Sequence, residues 1–397
     1  MPNLTSGFNN VATGDSALLS NTAGFENVAS GSAALLSNST GNYNVASGSF
    51  ALYANTTGNN NVAAGFNALL SNTTASDNVA TGFEALYNNT TGHDNLATGT
   101  DALKSNTTGN DNLAAGTDAL RSNTTGDHNL ASGFEALNQN TTGSGNLASG
   151  YYALNANSTG SENLAAGTEA LYSNTSGNDN LASGFQALFN NSAGSENLAS
   201  GAQALFSNTT GHDNLASGSH ALYRNKTGRY DMAAGTNALY RNINGYDDVA
   251  SGFKALFANT SGHDNTATGY LALDANTTGS SNLALGSGAG ANLTTGSNDV
   301  EIANPGVAGE SQTIRIGSTQ SAAYLAGVSG SSVPGPAQPV LVNSAGQLGT
   351  ASLSPRKGGS SDAGGAHLRA VVERQQRDLA RLSRAVRRLR SVVHPGG

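Results

Sequence analysis

The chain has 397 residues and no cysteine, carries a net charge of −8, and only 11% of its residues are charged. That composition excludes a disulfide framework and thiol catalysis. Residues 356–397 hold ten Lys/Arg against three Asp/Glu, so the remainder stands at −15, a body that would repel nucleic-acid phosphates.

The first residues, Met-Pro-Asn-Leu-Thr-Ser-Gly, have neither the charged n-region nor the apolar h-region of a signal peptide. No apolar run approaches the ~20 residues that a membrane-spanning helix needs. Leu4 to Asn9 fill the last six places of a repeat unit, whereas solenoids usually begin with an atypical cap. The expectation is a truncated start or a missing upstream module.

From Asn10 onward the sequence repeats every 17 residues without insertion, 17 times, so that Val11, Val28 and Val45 lead through Leu96 and Leu147 to Leu283. Numbered from its Asn, the unit has Ala in the third place (Ala12, Ala97) and Gly in the fifth (Gly14, Gly99) in all 17 copies. Leu holds the ninth place (Leu18, Leu103) except at Gly290, Asn the twelfth (Asn21, Asn106), and Gly the fifteenth (Gly109) except at Ala75. The sixth, seventh, sixteenth and seventeenth places vary freely, and the tenth mixes Tyr and Phe with Lys104, Arg121 and Asp274. Fixed places read as geometry, varied ones as surface.

A fixed short period marks a solenoid, each coil touching only its neighbours. Asn-Leu-Ala-Ser-Gly and Ala-Leu-Tyr-Ser-Asn are each about five residues long and end on turn formers, which suits strands better than helices. Asn-Thr-Thr-Gly reads as a corner. Two strands and two corners per coil predict an all-β parallel β-solenoid, with coils stacked ~4.8 Å apart into a rod of roughly 80 Å. So thin a coil needs many rungs, or several chains side by side.

The recurring Asn-x-Ala-x-Gly-x-x-Ala-Leu-x-x-Asn-Thr-Thr-Gly resembles the YadA-like head repeats of trimeric bacterial adhesins and phage-type fibres, over about residues 3–298. Those heads are left-handed parallel β-rolls with three chains around one axis, and their usual repeat is shorter, near 14 residues. The resemblance implies a homotrimer at a cell surface, in the extracellular space or on a phage particle. It implies attachment to a matrix protein, a glycan or a cell.

The repeat head is expected to span 1–298, followed by a β-rich neck over 299–353. Val300 and Ile302, then Ile314 and Ile316, alternate with polar residues and read as two short strands joined by a Pro-Gly turn. Tyr324–Gly330 and Val340–Gly349 read similarly. The neck resembles the connector that precedes endosialidase-type intramolecular chaperones. Here a linker over 354–365 stands where the chaperone would begin, so the chaperone looks lost. No C-terminal strands of an outer-membrane barrel follow.

Residues 366–394 are expected to form a helix. Leu368, Val372, Gln375, Leu379, Leu382, Val386, Leu389 and Val393 alternate four and three apart, a coiled-coil seam that could align chains. Val or Leu at a with Leu at d leans toward two strands, against the three of the head. The Arg residues on its outer faces read as solvation more than as a nucleic-acid contact.

Candidate sites are few. Sequons at Asn38, Asn55, Asn72, Asn106, Asn123 and Asn140 admit glycosylation, but turn chemistry explains Asn21 as well, which keeps the place without a sequon. His93-Asp94, His212-Asp213 and His263-Asp264 could hold a metal but are several rungs apart. No nucleophile stands beside a base, so no catalytic residue and no cofactor is expected. Thr-Thr ladders raise ice binding by a single-chain solenoid, at corners rather than mid-strand and interrupted at Ala23 and Lys226. The expected function is a non-enzymatic adhesin or fibre, with a phage tail-fibre or structural spacer as the alternative.

Overall fold

The computed structural model describes residues 3–325, 339–344, 346–350, 374 and 377. The chain divides into two units, Met1–Ser321 and Ala322–Gly397. The first is a parallel β-solenoid. Each of the 17 repeats supplies one three-residue strand, from β1 (Val11–Thr13) to β17 (Leu283–Leu285). Each strand pairs in parallel with the next, place on place: Val11 lies against Val28, Leu130 against Leu147, Thr266 against Leu283.

Within a strand the side chains alternate. The middle Ala points inward and is fully buried from Ala29 to Ala284, while its neighbours face outward. Leu18, Leu103 and their equivalents are also fully buried, stacking Leu on Leu beside the two Ala files. The core of this solenoid is thus a narrow column of one Leu and two Ala per coil.

The second expected strand does not form. Places six to eleven are a chain of turns in which the seventh and ninth residues take left-handed backbone, with φ of 56° at Asp101 and 51° at Leu103. Left-handed backbone costs ~1–2 kcal/mol per L-residue, and Leu adopts it here in every coil from Leu18 to Leu273. Two contributions offset that cost. Burying a Leu side chain is worth ~2–3 kcal/mol. The backbone still bonds from coil to coil, Leu103 N–H donating to Ala119 (3.0 Å), Ser105 to Arg121 (2.9 Å) and Asp101 to Phe83 (2.9 Å). A mirror-image kink every second residue lets six residues cover a short span, which a pleated strand could not do.

The expected neck begins differently. Val300–Ile302 (β18) pairs in parallel with β17, and Ile314–Ile316 (β19) pairs in parallel with β18. The two strands are further rungs of the solenoid rather than a hairpin, and the coil between them is shortened to 14 residues. The sheet therefore runs past residue 298, to 19 strands. In the second unit Val340–Val342 (β20) and Leu348–Thr350 (β21) form an antiparallel hairpin. The coiled-coil seam from Leu368 to Val393 and the linker over 354–365 lie outside the described residues, apart from the helical Arg374 and Arg377.

Candidate interaction surface

Both Asn places turn inward, which the sequence did not disclose. Asn106 Nδ2 donates to Asn89 Oδ1 (2.9 Å) on the preceding coil and to the carbonyl of Gly109 (2.9 Å) in its own. Asn95 Nδ2 donates to Asn78 Oδ1 (3.1 Å) and to the same Gly109 carbonyl (2.9 Å). Two buried amide ladders therefore run along the solenoid and converge on one carbonyl per corner. Unpaired, each such amide would cost ~1–3 kcal/mol. Asn38, Asn55, Asn72, Asn106, Asn123 and Asn140 are all fully buried in this way, so none of these six sequon nitrogens is open to a glycan in the folded chain.

The outer surface has two characters. On the strand face, the second and fourth places present Val, Leu or Met beside Ser, Thr or Ala, without one charge from Val11 to Leu285. The second place is apolar in every coil but that of Thr266, yet it stays open: Val28 and Leu96 are each 39% exposed. A buried position explains its own constancy; an exposed one of this kind does not.

The opposite character belongs to the varied places. At the seventh and tenth, Lys104 Nζ bridges Glu84 (2.5 Å) and Asp101 (3.2 Å), and Arg121 reaches Asp118 (3.3 Å) and Asp101 (3.7 Å). The Lys104 hydrogen bond holds the Glu84 carboxyl below its usual range, and Glu84 in turn raises Lys104. Farther along, the tenth place becomes a file of rings: Tyr172, Phe189, Phe206, Tyr223, Tyr240 and Phe257 stack with centroids 5.1–5.2 Å apart. Each ring covers its neighbour's face, leaving edges to solvent. The tenth place thus runs from Leu and Tyr through a charged and then an Asn stretch to the ring file, while the strand side stays uncharged throughout.

The histidines are paired where they stand. Nδ1 of His93, His212 and His263 lies 2.8, 2.7 and 2.7 Å from the carboxyl of Asp94, Asp213 and Asp264. No group of three or more His, Cys, Asp or Glu suited to a metal ion occurs among the described residues. The first Thr of the corner does not offer a free hydroxyl: Thr56 Oγ1 donates to the Thr73 carbonyl (2.9 Å) and Thr107 to Thr124 (3.0 Å). No helix among the described residues is long and apolar enough to cross a membrane.

The fold defines the class, a parallel β-solenoid of tandem 17-residue coils. No protein-family model matches the chain, and no curated protein matches it.

Proposed function

We propose that this chain is a non-enzymatic fibre or adhesin-type rod that assembles as a parallel homotrimer. The strand faces pack together, and the varied places are left outward to meet a ligand. The observation that carries the reading is the strand face: uncharged, apolar in register but for Thr266, and exposed or half-buried from coil to coil. A surface repeating every ~4.8 Å is matched along its whole length only by another surface of the same repeat, and a second copy of this chain has it. The resemblance to YadA-like heads supports three chains in a left-handed roll, with a C-terminal coil to align them. An extracellular or phage-particle setting follows from the same resemblance.

Sedimentation of the purified chain tests assembly. A trimer is expected, and Leu147→Asp with Leu181→Asp should return monomers that keep the β signal in circular dichroism. A wild-type monomer would remove the assembly and leave a single-chain solenoid. Adhesion is tested separately: a folded trimer that binds neither cells, matrix proteins nor glycans leaves the structural-spacer role alone.

A further inference from the structure

Carboxyls replace three amides of one buried ladder, Asp299 at its end and Asp231 and Asp248 within it. Asp231 and Asp248 occupy the first place of consecutive coils, 1% and 0% exposed, where every earlier coil has Asn. Asp248 N–H donates to Asp231 Oδ1 (3.1 Å), and Asn265 donates through N and Nδ2 to Asp248 Oδ1 (2.9 and 3.0 Å). The accepting side and the backbone bond of the ladder are therefore kept, but the side-chain donation to the preceding coil, made by Asn214 Nδ2 to Asn197 Oδ1 (3.0 Å), is lost. The corner bond is at stake too, because an Asn in this place donates Nδ2 to the corner carbonyl 14 residues on, as Asn214 does to Gly228 (2.9 Å) and Asn265 to Gly279 (3.0 Å). The equivalent carbonyls for Asp231 and Asp248 are those of Gly245 and Gly262, and an ionised carboxylate has no hydrogen to give them.

The second ladder gives way in response. Asn242 Nδ2 turns to Asp231 Oδ2 (2.8 Å), and its bonds to Asn225 and Gly245 lengthen to 3.3 and 3.2 Å. Asn259 Nδ2 does the same toward Asp248 Oδ2 (3.0 Å), with its bond to Asn242 at 3.3 Å. In the coils of Asn106 to Asn208 the corresponding ladder bonds are 2.8–2.9 Å.

We propose that Asp231 and Asp248 form a pH-sensitive joint: each holds its ladder place as a neutral carboxyl whose Oδ2–H donates to the Gly245 or Gly262 carbonyl, and ionisation loosens these coils. A protonated carboxyl has one O–H where an Asn amide has two N–H donors, so it can supply the corner bond while leaving the donation to the preceding coil unmade. The charged groups around the two come from the corner of each neighbouring coil: His212 and Asp213, Arg229, Asp247, then His263 and Asp264, with Tyr230 and Tyr246 beside them. None of these side chains hydrogen-bonds either carboxyl; Asn242, Asn259, Asn265 and the backbone do.

Burial, and next the Asp248 charge, push Asp231 up to about 9, and burial pushes Asp248 up to about 7. Both folded values lie above the unfolded one of 3.8, so the fold binds the extra protons. The stabilisation is complete below that unfolded value and is lost as pH rises through about 7 for Asp248 and about 9 for Asp231.

Hydrogen exchange of the full chain, read by mass spectrometry and corrected for intrinsic exchange, tests the joint against coils of the same molecule. Between pH 5 and 9, opening around residues 228–265 should rise relative to the all-Asn coils of 95–146, by up to about tenfold per pH unit for each ionising group. The Asp231→Asn/Asp248→Asn double variant, which restores the ladder, should remove that excess, and Asp247→Asn, on the exposed corner, should keep it. No excess in the wild type, an excess that survives the double variant, or one that Asp247→Asn abolishes would each overturn the proposal.

Discussion

The interior coils and the last two differ at one inward place of the strand and, after β18, in length. In the coil of Leu147–Ser149 (β9) the inward residue is Ala148, flanked by Ala131 and Ala165, and nothing charged enters the column. In β18 the same place holds Glu301, fully buried, with Ala284 on one side and Arg315 of β19 on the other. Neither carboxyl oxygen of Glu301 accepts a hydrogen bond from an N–H donor, and its polar neighbour is another carboxyl, Glu310. Arg315 is held instead by Glu310, through Nε (2.9 Å) and Nη2 (2.7 Å). Beyond β18 the coil loses three residues, and beyond β19 no strand of this sheet follows among the described residues. The comparison shows how the repeat ends: a methyl column propagates because each coil offers the next a dry, neutral floor, and a carboxylate in that floor does not.

The most damaging way to erase the difference is to move the charge inward. Ala148→Glu should cost at least about 3–5 kcal/mol, since the new carboxylate has no cation in its column. Circular dichroism melts should show loss of the cooperative β transition. Glu301→Ala, which makes the end resemble the middle, should not destabilise. Next in size is Gly184→Ala. Gly184 has φ of +138°, and a Cβ there would sit 2.7 Å from the Gly201 carbonyl oxygen, so about 2–3 kcal/mol should be lost in denaturant unfolding.

A smaller effect follows from pH. Burial, then the Glu310 charge, raise Glu301 to about 7, so the terminal coil keeps this contribution below the unfolded value of 4.5 and loses it as pH rises through about 7. Exchange of the Thr313 and Gly317 amides should speed up over that range beyond the intrinsic rate, and Glu301→Gln should flatten the response. The smallest change is expected from Lys104→Ala. It breaks a partly exposed ion-pair file in the regular coils, and denaturant midpoints should shift by about 0.5–1 kcal/mol, less at high salt.

How much of this was legible in the sequence depended on what kind of constancy a place had. The period, the Ala and Leu column and the separation of fixed from varied places could be read because one side chain recurs wherever one space recurs. The kinked side could not: Ala-Leu-Tyr-Ser-Asn has the composition of a strand, and Leu at φ near 52° is a conformation that local preference argues against. Only stacking, which buries Leu18 to Leu273 one upon another, makes it tolerable. The amide ladders were hidden for a related reason, since Asn beside Gly is also what an exposed turn looks like. The eighteenth rung was visible yet missed. Asp299-Val300-Glu301-Ile302 keeps the 17-residue step from Leu283, and Glu in place of Ala disguised it.

Because successive coils meet through the same pairs of places, inserting or deleting one whole 17-residue unit leaves every remaining junction as it was. Reach is then a heritable quantity that changes in steps of ~4.8 Å, with no new contact to be selected. Unequal crossing-over between near-identical stretches of coding sequence is the kind of event that supplies such steps. A lineage could lengthen or shorten this rod in a single generation, while an insertion of a few residues within a coil would put its two Asn places out of step with their neighbours.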